Sequence, residues 1–367
     1  MLLGGLVSRR RYPYPGGVTD THAASAWGDR ETEYFHELTP DHILTAAEEA
    51  GVRCTGRCQP LNSMENRVYE VEVDVPDPAA LRSPSERSRI VKFYRPGRWS
   101  EAQILEEHRF LLDLREAEVP GIAPIPFADG ATLRRVPRIG LWFAVFPKVG
   151  GRHPDEMDAG QLRRVGRLLG RMHNVGAERK APHRLRLDVE TYGYKNLDFL
   201  LESEALPERI EEAYAEVVEE LCELAEPLFA EAAPAFQRIH GDCHLGNLIW
   251  AENPSHEGPF WVDFDDMVTG PAVQDLWLVV PGRDEEALER RDFLLEGYEE
   301  MRDFDRRTLR LVEPLRALRF VHFSAWIAKR WSDPAFPRRF DHFGTERYWA
   351  EQLADLREQL ELVRQDG

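Results

Sequence analysis

The sequence HGDCHLGN at residues 240–247 places a carboxylate, Asp242, and an amide, Asn247, five positions apart. Both lie in a polar, glycine-containing turn that follows the apolar Ile239. Such a turn can present side-chain oxygens to a ligand, whereas His240 and Asp242 could also serve only to cap the turn. His240 precedes the turn, and we expect it to hold the backbone by hydrogen bonds rather than to act as a base.

A β-hairpin is predicted directly after this turn. Residues 248–250 and 260–262 are short apolar runs, and the polar segment between them contains Pro254 and Gly258. If the runs pair with Trp250 opposite Phe260, Asn247 falls opposite Asp263 at the open end of the hairpin. Asp242, Asn247 and Asp263 would then meet, and such hard oxygen ligands suit Mg²⁺. The alternative is that the carboxylates around Asp263 are simply solvated.

The same three residues match two of the three requirements of phosphoryl transfer from ATP. That reaction needs a carboxylate for the acceptor hydroxyl, oxygen ligands for Mg²⁺ and a cation for the donor phosphates. The five-residue separation of Asp242 and Asn247 also links the base Asp and the metal-binding Asn of protein-kinase catalytic loops.

Lys92 is the candidate cation, because it lies within the short apolar strand 90–94. A lysine there is unfavourable unless it is paired or reaches solvent at the strand edge. Glu107 is placed on the apolar face of the following helix, where an unpaired glutamate is rare. A Lys92–Glu107 ion pair accounts for both residues, and Glu106 is the alternative partner.

The order of predicted elements indicates an α+β fold with two lobes. Thr39 is a predicted cap for a helix over 40–50, strands are expected at 67–73, 90–94 and 141–146, and Ser100 with Gln103 forms a capping-box pattern. Most of the chain after residue 151 is helical in pattern. We divide the chain into a flexible extension (1–37), a small β-rich lobe (38–147) and a larger, mainly helical lobe (148–367).

Composition limits the class of protein. The chain has 367 residues and a formal net charge of -18, which disfavours nucleic-acid binding because phosphate backbones select clustered Lys and Arg. It has four cysteines, too few for a disulfide framework, and no stretch near the ~20 apolar residues that span a bilayer. We therefore expect a cytoplasmic protein without membrane or nucleic-acid partners. We also expect a monomer.

The arrangement resembles the protein-kinase-like fold of the aminoglycoside and choline phosphotransferases over about residues 40 to 350. Longer strings are similar to the bacterial stress-response kinase A family, a group of protein Ser/Thr kinases. They are PLNSMENRVYE (60–70), VKFYRPGRWS (91–100), QILEEHRF (103–110), FAVFPKVGGR (143–152), GPAVQDLW (270–277) and DPAFP (333–337).

The resemblance implies a role for each site residue. Asp242 would be the catalytic base, while Asn247 and Asp263 would bind Mg²⁺, with Asp263 also important for catalysis. For ATP, the implied contacts are Ser63 over the nucleotide, Lys92 on the phosphates and paired with Glu107, and Phe146 and Lys148 at the hinge. Asp275 would brace the catalytic loop.

Two features depart from ordinary protein kinases. Residues 61–69 contain no glycine, so Asn62, Ser63 and Asn66 would have to replace the backbone donors of a Gly-rich loop. Gly241 replaces the arginine of the usual His-Arg-Asp, which predicts activity without an activating phosphate on the segment after Asp263.

The resemblance implies an ATP- and Mg²⁺-dependent protein serine/threonine kinase of the bacterial stress response that also phosphorylates itself. A kinase for a small alcohol of the aminoglycoside, choline or homoserine type is the first alternative, because its acceptor is also a hydroxyl. A nucleotide-binding regulatory module without catalysis is the second, although such a module would not require Asp242.

Overall fold

Alternating apolar and polar residues in RVYEVEV form strand β2 (Arg67–Val73) of a five-stranded antiparallel sheet. The computed structural model describes residues 35, 37–77, 79, 81, 83–253 and 256–366. The strand order is β1-β2-β3-β5-β4. The other strands are β1 (Cys54–Pro60), β3 (Ser88–Phe93), β4 (Arg134–Arg135) and β5 (Trp142–Pro147).

Two helices accompany the sheet along the chain, and both begin at the predicted caps. Helix α1 (Pro40–Glu48) is capped by Thr39, and α2 (Glu101–Glu116) is capped by Ser100 in a reciprocal capping box with Gln103. Helix α1 packs with Val91, Phe93 and other sheet residues in a small apolar core. The apolar face of α2 instead joins the core of the large lobe.

The rest of the described chain is mainly helical, which confirms the α+β fold class with a β-rich first part and a helical second part. Two small antiparallel pairs interrupt the helices: β6 (Phe236–Ile239) with β9 (Val268–Pro271), and β7 (Leu248–Asn253) with β8 (His256–Trp261). The helices are α3 (Ala159–Glu178), α4 (Lys195–Glu202), α5 (Glu208–Ala232), α6 (Val273–Val279), α7 (Glu285–Glu299), α8 (Val312–Ala328), α9 (Ala335–Arg339) and α10 (Glu346–Asp366).

Helix α2 is fastened to the large lobe at both ends. Near its start, the buried Arg184 donates to the carbonyl of Gln103 (2.8 Å) and to the carboxylate of Glu107 (2.9 Å). Near its end, Arg238 of β6 donates to Asp113 (2.8 Å). Because these contacts are buried and charged, they restrain the helix more strongly than surface ion pairs would.

The predicted extension, residues 1–37, lies outside the described residues except for Phe35 and Glu37. Phe35 is buried and lies under the guanidinium of Arg67. The lobe boundary at 147/148 stays a prediction, and β5 ends at Pro147. Among the described residues, no helix is both long and apolar enough to span a bilayer.

Candidate active site

Asp275 holds the turn that precedes Asp242. The backbone N–H groups of His240 and Gly241 donate to its two carboxylate oxygens, at 2.9 and 2.8 Å. His173 contacts the same carboxylate at 3.0 Å, and Asp275 is fully buried. Asp275 therefore braces the turn and does not face the cleft, as the family resemblance implies.

Gly241 has a backbone conformation that other residues adopt rarely. Its φ is +85°, and a Cβ at this position would lie 2.5 Å from the carbonyl oxygen of Asp266. An arginine at position 241 would therefore require both a strained φ and displacement of the segment after Asp263. Glycine is therefore the residue that this turn accommodates without strain.

His240 links the turn to the end of β8. Its Nδ1 accepts from the backbone N–H of Asp242 (3.2 Å), so the proton resides on Nε2, which donates to the carbonyl of Val262 (2.9 Å). The ring is fully buried against Phe264. His240 thus positions the backbone, as predicted.

Asp242 receives hydrogen bonds from three side chains. Asn247 Nδ2 donates to its backbone carbonyl (3.0 Å) and to Oδ2 (3.3 Å), His244 Nε2 lies 3.3 Å from Oδ2, and Arg319 Nη2 donates to Oδ1 (2.7 Å). Burial opposes ionisation, but Arg319 and His244 outweigh it and hold the pKa of Asp242 below its ordinary value. Asp242 is therefore a charged, oriented carboxylate at neutral pH.

Arg319 was not identified from the sequence. It lies in α8, 77 residues beyond Asp242. Nothing in its local sequence distinguishes it from the surface arginines of other helices.

The hairpin forms, but its predicted register is wrong by one residue. Ile249, not Trp250, pairs with Phe260, and Val262 donates to the carbonyl of Asn247 at 3.0 Å. The strands pair as far as Asn253 and His256, so two residues connect them. The predicted pairing of Trp250 with Phe260 would have left three residues in the connection, which is why the two registers differ by one position.

Asp263 still lies at the open end of the hairpin, one residue beyond the position opposite Asn247. Its backbone is left-handed (φ 60°, ψ 65°), a conformation that costs a non-glycine residue about 1–3 kcal/mol. Its side chain is 59% exposed and lies 3.8 Å from Lys92 Nζ. The turn thus directs a carboxylate outward beside a buried lysine.

Lys92 makes the predicted contact with Glu107, at 3.3 Å, and both side chains are buried. A second carboxylate, Asp265, lies closer to Lys92, at 2.8 Å. Burial disfavours the charged amine, but Asp265 and Glu107 raise the pKa of Lys92 well above its ordinary value. Glu106, the alternative partner, instead accepts from the backbone N–H groups of His183 and Arg184.

Asp265 is not a solvated carboxylate, whereas the side chain of Asp266 is 47% exposed. Arg98 donates to both, and Asp265 is almost fully buried. Burial raises the pKa of Asp266, Arg98 opposes that rise, and the charges of Asp242, Asp265 and Asp263 add to it. Asp263, Asp265 and Asp266 form one group of neighbouring carboxylates, because all three line the same cavity.

A cavity of about 240 Å³ lies beside this carboxylate group. It is lined by Ser63 and its neighbours in loop 62–66, by Asp263, Asp265 and Asp266, and by Arg98 and Trp326. The two predicted hinge residues lie in and after β5. Phe146 is buried opposite Ile90, and Lys148 binds Glu70 at 2.5 Å. Their nucleotide contacts, like that of Ser63, stay predictions.

Asn247 and Asp263 have donor chemistry that fits Mg²⁺. Because Asn247 Nδ2 is directed to Asp242, its carbonyl oxygen is the atom available to a metal, and Asp263 supplies an exposed carboxylate. In the described part of the chain, no group of three or more His, Cys, Asp or Glu side chains could hold a metal. A magnesium ion here would complete its coordination with phosphate oxygens and water.

Comparison with known proteins identifies the family to which this chain belongs. Residues 57–312 match the phosphotransferase enzyme family. Stress response kinase A of Escherichia coli is 39% identical over 331 residues, which cover 90% of this chain and 95% of that protein. Serine/threonine protein kinase RdoA of Salmonella typhimurium is 37% identical over the same shares.

Solved structures of similar fold are also kinases. The amicoumacin kinase hAmiN, in complex with AMP-PNP, Ca²⁺ and Ami, has a TM-score of 0.62 at 19% identity, covering 84% of this chain and 88% of that one. A microcompartment-associated aminopropanol kinase has a TM-score of 0.60 at 18% identity, with coverages of 87% and 95%. These likenesses show the fold, whereas the sequence matches extend along almost the whole chain. The chain therefore belongs to the phosphotransferase enzyme family and, within it, to the stress response kinase A group.

Proposed function

We propose that this protein is an ATP- and Mg²⁺-dependent serine/threonine protein kinase of the bacterial stress response, acting on protein hydroxyls that include its own. The observation that carries the proposal is the oriented, ionised Asp242 carboxylate, which accepts from Asn247, while the backbone carbonyl of Asn247 accepts from Val262, the residue before Asp263. A binding-only module has no use for such a carboxylate. A transferase needs one to hold the acceptor hydroxyl.

Each residue has a defined task in this proposal. Asp242 would accept the hydrogen bond, and then the proton, of the acceptor hydroxyl. Lys92, fixed by Glu107 and Asp265, would contact the donor phosphates. Asn247 and Asp263 would hold Mg²⁺, which supplies neutralisation of charge on the phosphate oxygens.

A protein acceptor is supported by the relative named serine/threonine protein kinase RdoA, with which this chain shares 37% identity. The competing candidate, a kinase for a small alcohol, is favoured by the fold shared with the amicoumacin and aminopropanol kinases at 19% and 18% identity. Both activities would use Asp242, Asn247, Asp263 and Lys92 in the same way. The acceptor must therefore be tested directly.

Incubation with γ-labelled ATP and Mg²⁺ distinguishes the two candidates. We expect label on the protein itself and on a generic protein substrate such as casein, at Ser and Thr, and no transfer when the metal is chelated. A panel of aminoglycosides, choline, aminopropanol and homoserine is assayed in parallel. Label on a small alcohol alone would refute the protein-kinase proposal.

Arg319 provides a second test of the site. We expect Arg319→Ala to lower kcat roughly tenfold, because a charged hydrogen bond contributes about 1.5–3 kcal/mol and this one is partly exposed. Arg319→Lys should recover part of that loss, and the KM for ATP should change little in both variants. Equal kcat values in the original protein, Arg319→Ala and Arg319→Lys would show that the contact from α8 does not contribute to catalysis by Asp242.

We also propose that the enzyme acts in the cytoplasm as a monomer. All four cysteines are free, and two of them, Cys222 and Cys243, are buried. This is the pattern of a protein that does not depend on disulfides. Size-exclusion chromatography with light scattering would test the monomer directly, and a mass twice that of the 42.3 kDa chain would refute it.

A further inference from the structure

The loop between β1 and β2 covers the cavity but has no glycine with which to bind phosphate. Residues 62–66 all line the cavity, and Asn62 at its outer end is exposed. A Gly-rich loop brings its own backbone N–H groups close to phosphate. A loop of larger residues cannot approach as closely, so its side chains must be held in place by another part of the protein.

Glu65 connects this loop to the opposite lobe. Its side chain is buried, and Oε2 accepts a hydrogen bond from Trp326 Nε1 of α8 at 3.0 Å. The same oxygen lies 2.6 Å from Nε of Arg330, two residues beyond the end of α8. Arg98 and Arg95 are more distant cations, at 3.5 and 3.7 Å from the Glu65 carboxylate.

The contact of Glu65 with Arg330 involves two charges removed from water. Arg330 is 1% exposed, and burial lowers its pKa to about 10, although Glu65 opposes the change. Arg330 therefore stays charged at neutral pH. A buried pair of this kind is screened little by salt and fixes its partners in position.

The next residue of the loop is tied to the same part of the large lobe. Asn66 accepts from the backbone N–H of Arg95 at 3.0 Å, and Arg95 donates to the buried Asp333 at 2.8 Å. Two consecutive loop residues, Glu65 directly and Asn66 through Arg95, are thus connected to residues 326–333.

We propose that Glu65 is a positioning residue for the nucleotide: through Trp326 and Arg330, the large lobe holds the glycine-free loop over the ATP phosphates. This inference rests on the proposed function for the identity of the ligand. It assigns to α8 a second task, since the same helix also contacts Asp242 through Arg319.

The test uses two conservative variants and a matched control. Trp326→Phe removes the donor to Glu65 while keeping an aromatic ring beside Phe323 and Phe336. Glu65→Gln removes the charge while keeping the shape. Trp142→Phe is the control, because Trp142, at the start of β5, is half-buried and packs against Arg135 of the edge strand β4.

Three measurements are compared: the Kd for Mg·ADP by calorimetry, the separate KM values for ATP and for a protein acceptor, and hydrogen exchange of residues 61–66. We expect the Kd and the KM for ATP to rise about tenfold in Trp326→Phe and more in Glu65→Gln. Exchange in the loop should accelerate, while the acceptor KM stays unchanged. The control should behave as the original protein.

Unchanged nucleotide affinity in Trp326→Phe would overturn the inference, whether or not loop exchange accelerates. A general acceleration of exchange outside the loop would also overturn it, because the contact would then serve stability alone. If Glu65→Gln fails to fold, Trp326→Phe decides the question. Calorimetry with Mg·ADP needs no acceptor. Its result therefore tests the role of Glu65 even if the acceptor proves not to be a protein.

Discussion

An Asp242→Asn variant is expected to bind ATP with nearly unchanged affinity and to transfer phosphate about 10² to 10⁴ times more slowly. The amide cannot accept the proton of the acceptor hydroxyl. Arg319 donates to one oxygen of Asp242, while Asn247 and His244 lie against the other. In the variant, the N–H₂ group of the amide would therefore face another donor on whichever side it lies. Both the chemistry and the orientation of the base are therefore lost together.

Single-turnover transfer from labelled ATP measures this effect separately from product release. Calorimetric titration with Mg·ADP checks that nucleotide binding persists. Asp292→Asn, at an exposed carboxylate of α7, is the matched control and should leave both quantities unchanged. Transfer at the original rate in Asp242→Asn would remove Asp242 from its proposed role.

A Lys92→Met variant is expected to lose stability as well as transfer. The amine lies 3.3 Å from Glu107 and 2.8 Å from Asp265, so its removal leaves two buried carboxylates with less compensation. Breaking a buried pair by removing one partner typically costs about 3–5 kcal/mol. Urea denaturation would measure the loss, and we expect phosphate transfer to fall by more than the unfolded fraction explains.

A double variant separates the two effects. Lys92→Met combined with Glu107→Gln removes one charge of each sign, and the amide can still accept from Arg184. We expect part of the stability to return, with a coupling energy of about 0.5–3 kcal/mol, while transfer remains low. Recovery of transfer together with stability would mean that Lys92 serves only the fold.

Local chemistry explains which elements were predictable. Both N-terminal caps, Thr39 and Ser100, act within three residues of the helix start, so the sequence alone specifies them. The Lys92–Glu107 contact was predictable because each residue was anomalous in its own element. Strand β1 was missed, because it is an exposed edge strand with Gly56 in its interior and shows no alternating pattern.

The parts that the sequence did not reveal depend on contacts between distant elements. Arg319 reaches Asp242 from 77 residues away, and Trp326 reaches Glu65 from 261 residues away. Neither has a local pattern that marks it. The hairpin register also depended on a single residue in the connection, which propensity does not determine.

The buried contacts between α2 and the large lobe determine how easily this helix can move relative to that lobe. In a kinase whose equivalent helix swings, outward rotation separates the Lys–Glu pair and turns catalysis off. Here Arg184 and Arg238 restrain the helix on either side of Glu107, so that rotation would break several buried charged contacts at once. Separation of the Lys92–Glu107 pair by movement of α2 therefore carries the free-energy cost of the buried contacts that hold this helix.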